Sequence, residues 1–472
     1  MTEQVEVAVV GAGPGGLSAA AAAAQAGAKV ALIDGYASPG GQYYRQMPEF
    51  LQARSSARQR QGQALFERAV AAGVRVLSET MVWGVAEDKT LALYGPQAPP
   101  LLRAQAIILA TGAYDRPVAF PGWTLPGVMT IGAARTLLVE GVLPGKRLLL
   151  AGTGPLQLVV AAELARAGAA VVAVLEGSRT LRAGWRYLGA LWGQWPRLSE
   201  GLSSRLALLV NRIPYRAGWG IVSASGTNRV EQVTVARLDD HWRPVSGSEE
   251  SLACDTLCIG YGFVPFDALS RLLGARQEWS DELGGAVPQR DRRMQTSVPG
   301  VYAVGDGAGI GGAQLAMVEG QIAGIAAAAQ VGYGADSVDA AILRLIPTLA
   351  RERCFQRMYA ALFTPGPGLY ELSRDDTVIC RCEEVTQGDI RRAVALGADS
   401  TNEVKSVTRC GMGHCQGRMC SHLLTQLVGR ETGRSPAAMK PLNARPPIFP
   451  VPLGALGREP AGAEPIETGE VA

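Results

Sequence analysis

The run VEVAVVGAGPGGLSAAAAAAQAGAKVALID, Val5 to Asp34, decides how the rest of the chain is read. An apolar strand run, Val7 to Val10, enters a turn in which Gly11, Gly13 and Gly16 keep G-x-G-x-x-G spacing, with Pro14 and Gly15 among them. An alanine-rich helix follows, and a second strand run, Val30 to Ile33, ends on Asp34. Each part has a physical task. Gly11 permits the tight turn, Gly13 lets backbone approach a pyrophosphate, Gly16 lets helix and strand pack closely, and the helix N-terminus offers free N–H groups to phosphate. Asp34, at the end of the second strand, is placed to accept hydrogen bonds from a ribose diol. The flanking strand, helix, strand and acid set this turn apart from a bare glycine loop.

Outward from that unit, 472 residues suffice for two or three domains with sizeable cores. Hydrophobic residues at 47% and charged ones at 18% describe a globular chain. A net charge of +3 argues against a general nucleic-acid binder, and three histidines leave little for His-based metal sites. The Ala19 to Ala24 run is too short for a membrane span and belongs to the dinucleotide unit. The chain runs from MTEQ straight into its first strand without a basic, cleavable leader, so a cytoplasmic protein is expected. Five of the eight cysteines fall between Cys380 and Cys420, and in a reducing compartment such clustering points to metal or redox chemistry.

Beyond Asp34, the turn Ser38 to Arg45 (SPGGQYYR) carries Gly41, Gln42 and Arg45 and is rich enough in glycine for backbone to approach a planar ligand. A strand run, Ala106 to Ala110, ends in Thr111-Gly112, a second place for backbone to meet a nucleotide. From Lys146 the order strand, glycine turn, helix, strand and acid repeats, with Gly152, Gly154 and Glu176. Gln157 stands where a third glycine is expected, which weakens helix packing more than phosphate contact. Glu176 favours a 2′-hydroxyl, although Arg179 and Arg182 follow closely. The tryptophans at 185, 192, 195, 219 and 242 read as core or interface. Near the end of this part, VYAVGDGAGIGGAQ presents Gly305 and Asp306 between a strand end and a helix start, where a carboxylate can hold a ribose or ribityl hydroxyl.

Taken in order, these motifs resemble the two-dinucleotide-domain flavoprotein reductases over about the first 330 residues. The resemblance implies an α/β fold with two Rossmann-like units and FAD in the first. Its phosphates would lie on Gly11 to Gly16, its ribose on Asp34 and its ribityl chain near Asp306, with Gly41, Gln42, Arg45, Thr111, Gly112, Gly305 and Gln314 as further contacts. No C-x-x-C or C-x-x-x-x-C pair precedes Cys380, so flavin-to-disulfide chemistry is not expected.

The C-terminal cysteines form a second organising feature. Cys380-Arg381-Cys382 precedes an amphipathic helix, and TRCGMGHCQGRMC supplies Cys410, Cys415 and Cys420. Thiolates in C-x-C and C-x-x-x-x-C pairs, the second set in glycines, suit a [2Fe–2S] cluster, whereas zinc tetrahedra more often use C-x-x-C. The segment resembles the bacterioferritin-associated-ferredoxin type of domain, which implies Cys380, Cys382, Cys415 and Cys420 as ligands. That leaves Cys410 outside, as a core thiol or a neighbour, and His414 beside a ligand rather than as one.

With the proline-rich stretch RPPIFPVPLG, nearly the whole chain resembles the large, or α, subunits of heteromeric amino-acid dehydrogenases, the group of opine oxidases, D-hydroxyproline dehydrogenase, hydrogen cyanide synthase and dye-linked proline dehydrogenase. The expected division is an FAD domain from 1–144 and 255–330, a second nucleotide unit from 145–254, a helical linker at 331–375, an iron–sulfur domain at 376–428 and a tail at 429–472. The resemblance implies a flavoprotein subunit that oxidises the substrate's C–N bond, and a small ferredoxin-like subunit beside it. FMN at a subunit interface, and NAD(H) or ATP at the second unit, are further candidate cofactors. The expected function is electron relay between FAD and [2Fe–2S] for the oxidation of an opine or a secondary or D-amino acid. No general base stands out in the chain. The alternatives are a glycine-oxidising subunit of the hydrogen cyanide synthase type, a self-sufficient NAD(P)H-dependent reductase, and a nucleotide-holding scaffold.

Overall fold

A computed structural model describes residues 2–48, 50–51, 55–86, 88–179 and 184–456. The chain opens with β1 (Glu3–Val10), α1 (Pro14–Gln25), β2 (Val30–Ile33), α2 (Ala57–Ala71), β3 (Arg75–Leu77), β4 (Met81–Val85), β5 (Thr90–Tyr94) and β6 (Leu101–Leu109). It crosses through β7 (Ala113–Asp115) into a second body: β8 (Val128–Thr130), α3 (Ile131–Val139), β9 (Arg147–Gly152), α4 (Leu156–Arg166), β10 (Ala170–Glu176), α5 (Trp195–Val210), β11 (Tyr215–Ala217), β12 (Trp219–Ser225), β13 (Gln232–Arg237), β14 (Glu250–Ala253) and β15 (Thr256–Gly260). It then returns through β16 (Phe263–Pro265), α6 (Ala268–Leu272), β17 (Gln277–Ser280), β18 (Gly285–Pro288), β19 (Val301–Ala303), α7 (Ala313–Gln330) and the long α8 (Val338–Phe363). The C-terminal part is β20 (Val378–Cys380), β21 (Val385–Thr386), α9 (Gln387–Ala395), α10 (Thr401–Thr408), α11 (Ser421–Thr432) and α12 (Leu453–Leu456).

The first sheet runs β3-β2-β1-β6-β5-β4, with β19 also on β6. Its centre is parallel, Val7 beside Val30 and Ala106. Strands covered on both faces must be apolar throughout, and residues 7–10 and 30–33 are all buried. The alanine run of α1 has a packing cause. A Cβ on Gly320 or Gly324 of α7 would lie 2.1 Å from the Gly15 oxygen or 2.3 Å from the Ala19 oxygen, so the two helices touch backbone to backbone. Their N-termini are thereby held side by side at the carboxyl edge of the sheet, where Gly11, Thr111 and Gly305 follow the adjacent strands β1, β6 and β19.

The second sheet, β11-β10-β9-β15-β8, is parallel in every pairing. Its core is continuous with that of the C-terminal part: Leu149, Leu175 and Leu257 belong to the same cluster as Ile379, Ile390, Leu424 and Val428. Trp123 links the two by donating its indole N–H to the Val378 carbonyl at 2.7 Å. The expected tail is packed as far as it is described. α11 runs to Thr432, Met439, Leu442 and Ile448 are buried, and Ile448 N–H donates to the Trp83 carbonyl at 2.8 Å. The prolines there interrupt helix without preventing burial.

Of the five tryptophans singled out above, Trp242 is buried, and the side chain of Trp185 lies outside the described residues, as does Arg182. Trp192, Trp195, Leu202, Leu206, Leu209 and Val210 form an apolar row on and beside α5, each more than half exposed. Among the described residues no helix is long and apolar enough to cross a membrane.

Candidate functional site

The first glycine turn is built as its spacing requires. Gly11 sits at φ +105°, and a Cβ there would lie 2.3 Å from the Ala110 oxygen. A Cβ on Gly16 would fall within 1.8 Å of the Gly11 oxygen, which is the close helix–strand approach expected of the third glycine. Gly13, the N-cap of α1, has no side-chain cap, and nothing comes nearer than 4.0 Å to its missing Cβ. The first-turn N–H groups of α1 are thus free for an anion. Gly312, the N-cap of α7, likewise lacks a side-chain cap and faces open space, as does Gly112.

Asp34 is buried and holds the turn: Oδ2 accepts from Ala12 N–H and Oδ1 from Tyr36 N–H at 2.8 Å. Burial pushes its pKa up against those hydrogen bonds. Two of about four acceptor positions on the carboxylate are used, which leaves capacity for a diol. Gly41 lies over the turn, its missing Cβ 2.9 Å from Gly13 Cα. Gln42 is exposed and donates to the Tyr36 hydroxyl at 3.0 Å, while Arg45 pairs with Glu140 at 3.3 Å and lies over the Tyr36 ring. Thr111 donates to the Phe266 carbonyl at 2.7 Å. Asp306 Oδ1 accepts from Gly311 and Gly312 N–H groups, both at 2.9 Å, and burial raises its pKa. Gln314 is exposed in the first turn of α7. The residues that sequence reading missed are Glu319 and Arg290. Glu319 is 1% exposed, takes a bidentate pair from Arg290 at 2.8 Å and accepts from Gly305 N–H at 3.1 Å, fixing the strand end. A lone acid inside the apolar helix AQLAMVEGQIAG was the available signal.

The second glycine turn closes on itself. Glu176, 1% exposed, accepts from Gly154 N–H (3.0 Å), Gln157 Nε2 (2.7 Å), Ser178 N–H (3.0 Å) and Ser178 Oγ (2.8 Å). Those four donors fill the carboxylate. Gly154 is met from outside by α8, its missing Cβ 2.6 Å from the Tyr359 hydroxyl and 3.8 Å from Phe363. Gln157, in place of a third glycine, takes the acid inward, so that a ribose hydroxyl on Glu176 would have to displace one of these donors. Gly152 packs against Gly260, whose oxygen would lie 2.1 Å from a Cβ there.

Among the cysteines, the thiols of Cys380, Cys410 and Cys420 lie within 4.8 Å of one another, all buried. Cys410, left out of the expected ligand set, belongs in the group. Cys382 neighbours Cys415 instead, and the two sets are close enough to feel one another's charge. Hydrogen bonding to Cys410 and Cys420 pulls the pKa of Cys380 strongly down and pushes those of Cys410 and Cys420 up. The backbone N–H groups of Gly411 and Glu383 also point at Cys380, and that of Cys415 at Cys382, donors of the kind that surround cluster sulfurs. Gly413 must be glycine, because a Cβ would lie 2.2 Å from that of Cys382. His414 Nε2 stands 3.8 Å from Cys382 Sγ. The thiol-rich, oxygen-poor donor set fits an iron–sulfur centre.

Two dinucleotide units around parallel sheets, joined to a buried thiol group, define an oxidoreductase of the flavin-dependent, two-domain class. The chain belongs to the pyridine nucleotide-disulphide oxidoreductase family, whose profile matches residues 5–195 and 204–331, and residues 375–459 match the sarcosine oxidase A3 domain. It is 32% identical to the opine oxidase A subunit of Agrobacterium tumefaciens across 100% of this chain and 98% of that one. It is 36% identical to the hydrogen cyanide synthase subunit HcnB of Pseudomonas aeruginosa across 95% and 97%. Among solved structures, L-proline dehydrogenase of P. horikoshii superposes with a TM-score of 0.69 at 20% identity, covering 97% of this chain and 81% of that one.

Proposed function

We propose that the chain is the electron-relay subunit of a multi-subunit dehydrogenase that oxidises the C–N bond of an opine or a secondary or D-amino acid. One observation carries this reading: the strand that leaves the first nucleotide edge at Thr111-Gly112 is β7, and Arg116 directly after it meets His422 at 2.5 Å on α11, two residues beyond Cys420 of the thiol group. FAD supplies a two-electron centre and [2Fe–2S] a one-electron centre, so a chain holding both converts paired electrons to single ones. The chain's own residues bind and orient. The uncapped N-termini of α1 and α7 face the phosphates, Asp34 and Asp306 fix the turns and offer remaining acceptor positions to hydroxyls, and Glu319 with Arg290 anchors the strand end. The cysteines of 380–420 hold the metal group. A partner subunit is supported by full-length relatives that are themselves named as subunits, and the apolar row of α5 offers it a surface that association would cover. The filled Glu176 disfavours entry of electrons from a nicotinamide at the second unit.

The test is an anaerobic titration of the purified chain. Flavin that stays oxidised with NADH, and is bleached together with appearance of the reduced-cluster EPR signal once an amino-acid substrate and the partner subunit have been added, is the expected result. Rapid reduction of both centres by NADH alone makes the chain a self-sufficient reductase.

A further inference from the structure

A buried cation occupies the joint between the first body and the thiol-bearing part. Arg116, directly after β7, is 7% exposed. Its Nη1 donates to the Tyr370 hydroxyl at 2.8 Å and meets His422 Nε2 at 2.5 Å, and its Nη2 reaches the carbonyls of Phe263 (3.3 Å) and Gly284 (3.4 Å). Its Nε has no partner. None of these groups carries negative charge, and among the described residues no carboxylate forms an ion pair with it. The carboxylate whose charge reaches Tyr370, Asp281, is exposed and makes no ion pair with Arg116. Burying a guanidinium without a paired counter-charge is strongly unfavourable, so a further negative charge is implied.

The geometry names its source. His422 follows Cys420 by two residues on the first turn of α11, and Trp279 stacks on its ring at 5.2 Å, fixing it against Arg116. Tyr114, two residues before Arg116, lines one pocket together with Ser421, the residue after Cys420. Another cation that feels Cys420, Lys405, is only partly buried, and Arg271 is already paired with Asp267 at 3.0 Å. A thiolate-bound iron–sulfur group carries net negative charge that grows by one on reduction, and a fixed positive charge in a low-dielectric interior favours the more negative form.

We propose that Arg116 is the internal counter-charge of the cysteine-bound metal group, a positioning residue that favours its reduced form and so draws electrons out of the flavin-bearing body along β7. This rests on the relay reading above. The experiment is a redox titration of the purified holo-chain, following the reduced-cluster EPR signal in wild type, Arg116→Gln and Arg116→Lys. In Arg116→Gln the ratio of reduced to oxidised cluster at the wild-type midpoint should fall on the order of tenfold, which is a downward shift of about 59 mV. Arg116→Lys, which keeps the charge, should titrate near wild type. Arg116→Gln titrating with wild type, or Arg116→Lys falling as far as Arg116→Gln, overturns the proposal. Should Arg116→Gln lose the cluster altogether, retention in Arg116→Lys supports a charge role, and equal loss in both makes the residue a packing element only. A wild-type chain without the signal sinks the relay reading itself, and that is seen before any variant is made.

Discussion

The two glycine units share strand, turn, helix, strand and acid, yet their acids do opposite work. Asp34 uses two of its acceptor positions on Ala12 and Tyr36 and leaves the rest beside an open helix N-terminus. Glu176 is filled by Gly154, Gln157 and Ser178, and Tyr359 stands over the turn. A dinucleotide fold need not be a dinucleotide seat. The difference lies in whether the chain's own groups have already taken the hydrogen bonds that a ligand would make.

The sharpest way to break that contrast is to place a carboxylate in each turn. Gly13 lies at φ −74° with 4.0 Å of clearance, so Gly13→Asp fits, and aspartate is a favoured N-cap. Its charge would sit where a pyrophosphate must. Near-complete loss of bound flavin is expected, with the melting temperature of the cofactor-free chain kept or slightly raised, read by absorbance after desalting and by calorimetry. Gly154→Asp should do the reverse. At φ +95° and against the Tyr359 hydroxyl it strains the fold by about 1–3 kcal/mol, and it should leave flavin content unchanged.

Neutralising the acids comes next in size. Glu176→Gln leaves several buried donors facing an amide that cannot accept from all of them, a loss of about 3 kcal/mol, seen as a lower urea midpoint with flavin retained. Asp34→Asn should weaken flavin retention as well as stability. The pH dependence has a definite sign. Burial raises the folded pKa of Glu176 above its ordinary 4.5, against the hydrogen bonds of Ser178 and Gly154. Between the unfolded and folded values the native state binds more protons than the unfolded one, so this contribution to stability falls as pH rises through that window. The wild type's advantage over Glu176→Gln should therefore be largest at the acid side and shrink upward from pH 4.5. An advantage that grows with pH would mean that the hydrogen bonds to Glu176 outweigh its desolvation.

What the sequence made legible follows chain distance. The first unit could be read because turn, helix N-terminus and acid lie within one βαβ stretch, whose glycines have no other use. What stands over the second turn could not be read, because Tyr359 is far away in the chain on α8, and nothing local announces it. The Gln157 departure was visible, but its consequence, capture of Glu176, needed the fold. Among the cysteines, Cys410, Cys415 and Cys420 repeat the same spacing twice, so pattern alone cannot choose between them. Gly411 and Gly417, at φ +87° and +80°, bend the loop, and it is that bent loop that brings Cys410 and Cys420 to Cys380. Arg116 and Glu319 were invisible for a related reason: a charged residue reads as surface until burial is known.

The smallest effect belongs to Tyr359→Phe. The substitution removes only the hydroxyl that lies nearest Gly154 and leaves the ring in contact with Phe363 at a centroid distance of 5.0 Å, so a stability change under about 1 kcal/mol is expected. Because Glu176 stays filled by its own donors, clearing one oxygen from above the turn should create no nicotinamide site, and NADH should bleach the variant's flavin no faster than the wild type's. Faster bleaching in Tyr359→Phe would mean that the second seat is intact beneath a removable cover, with Glu176 able to exchange Gln157 for a ribose. The two units would then differ in access rather than in chemistry.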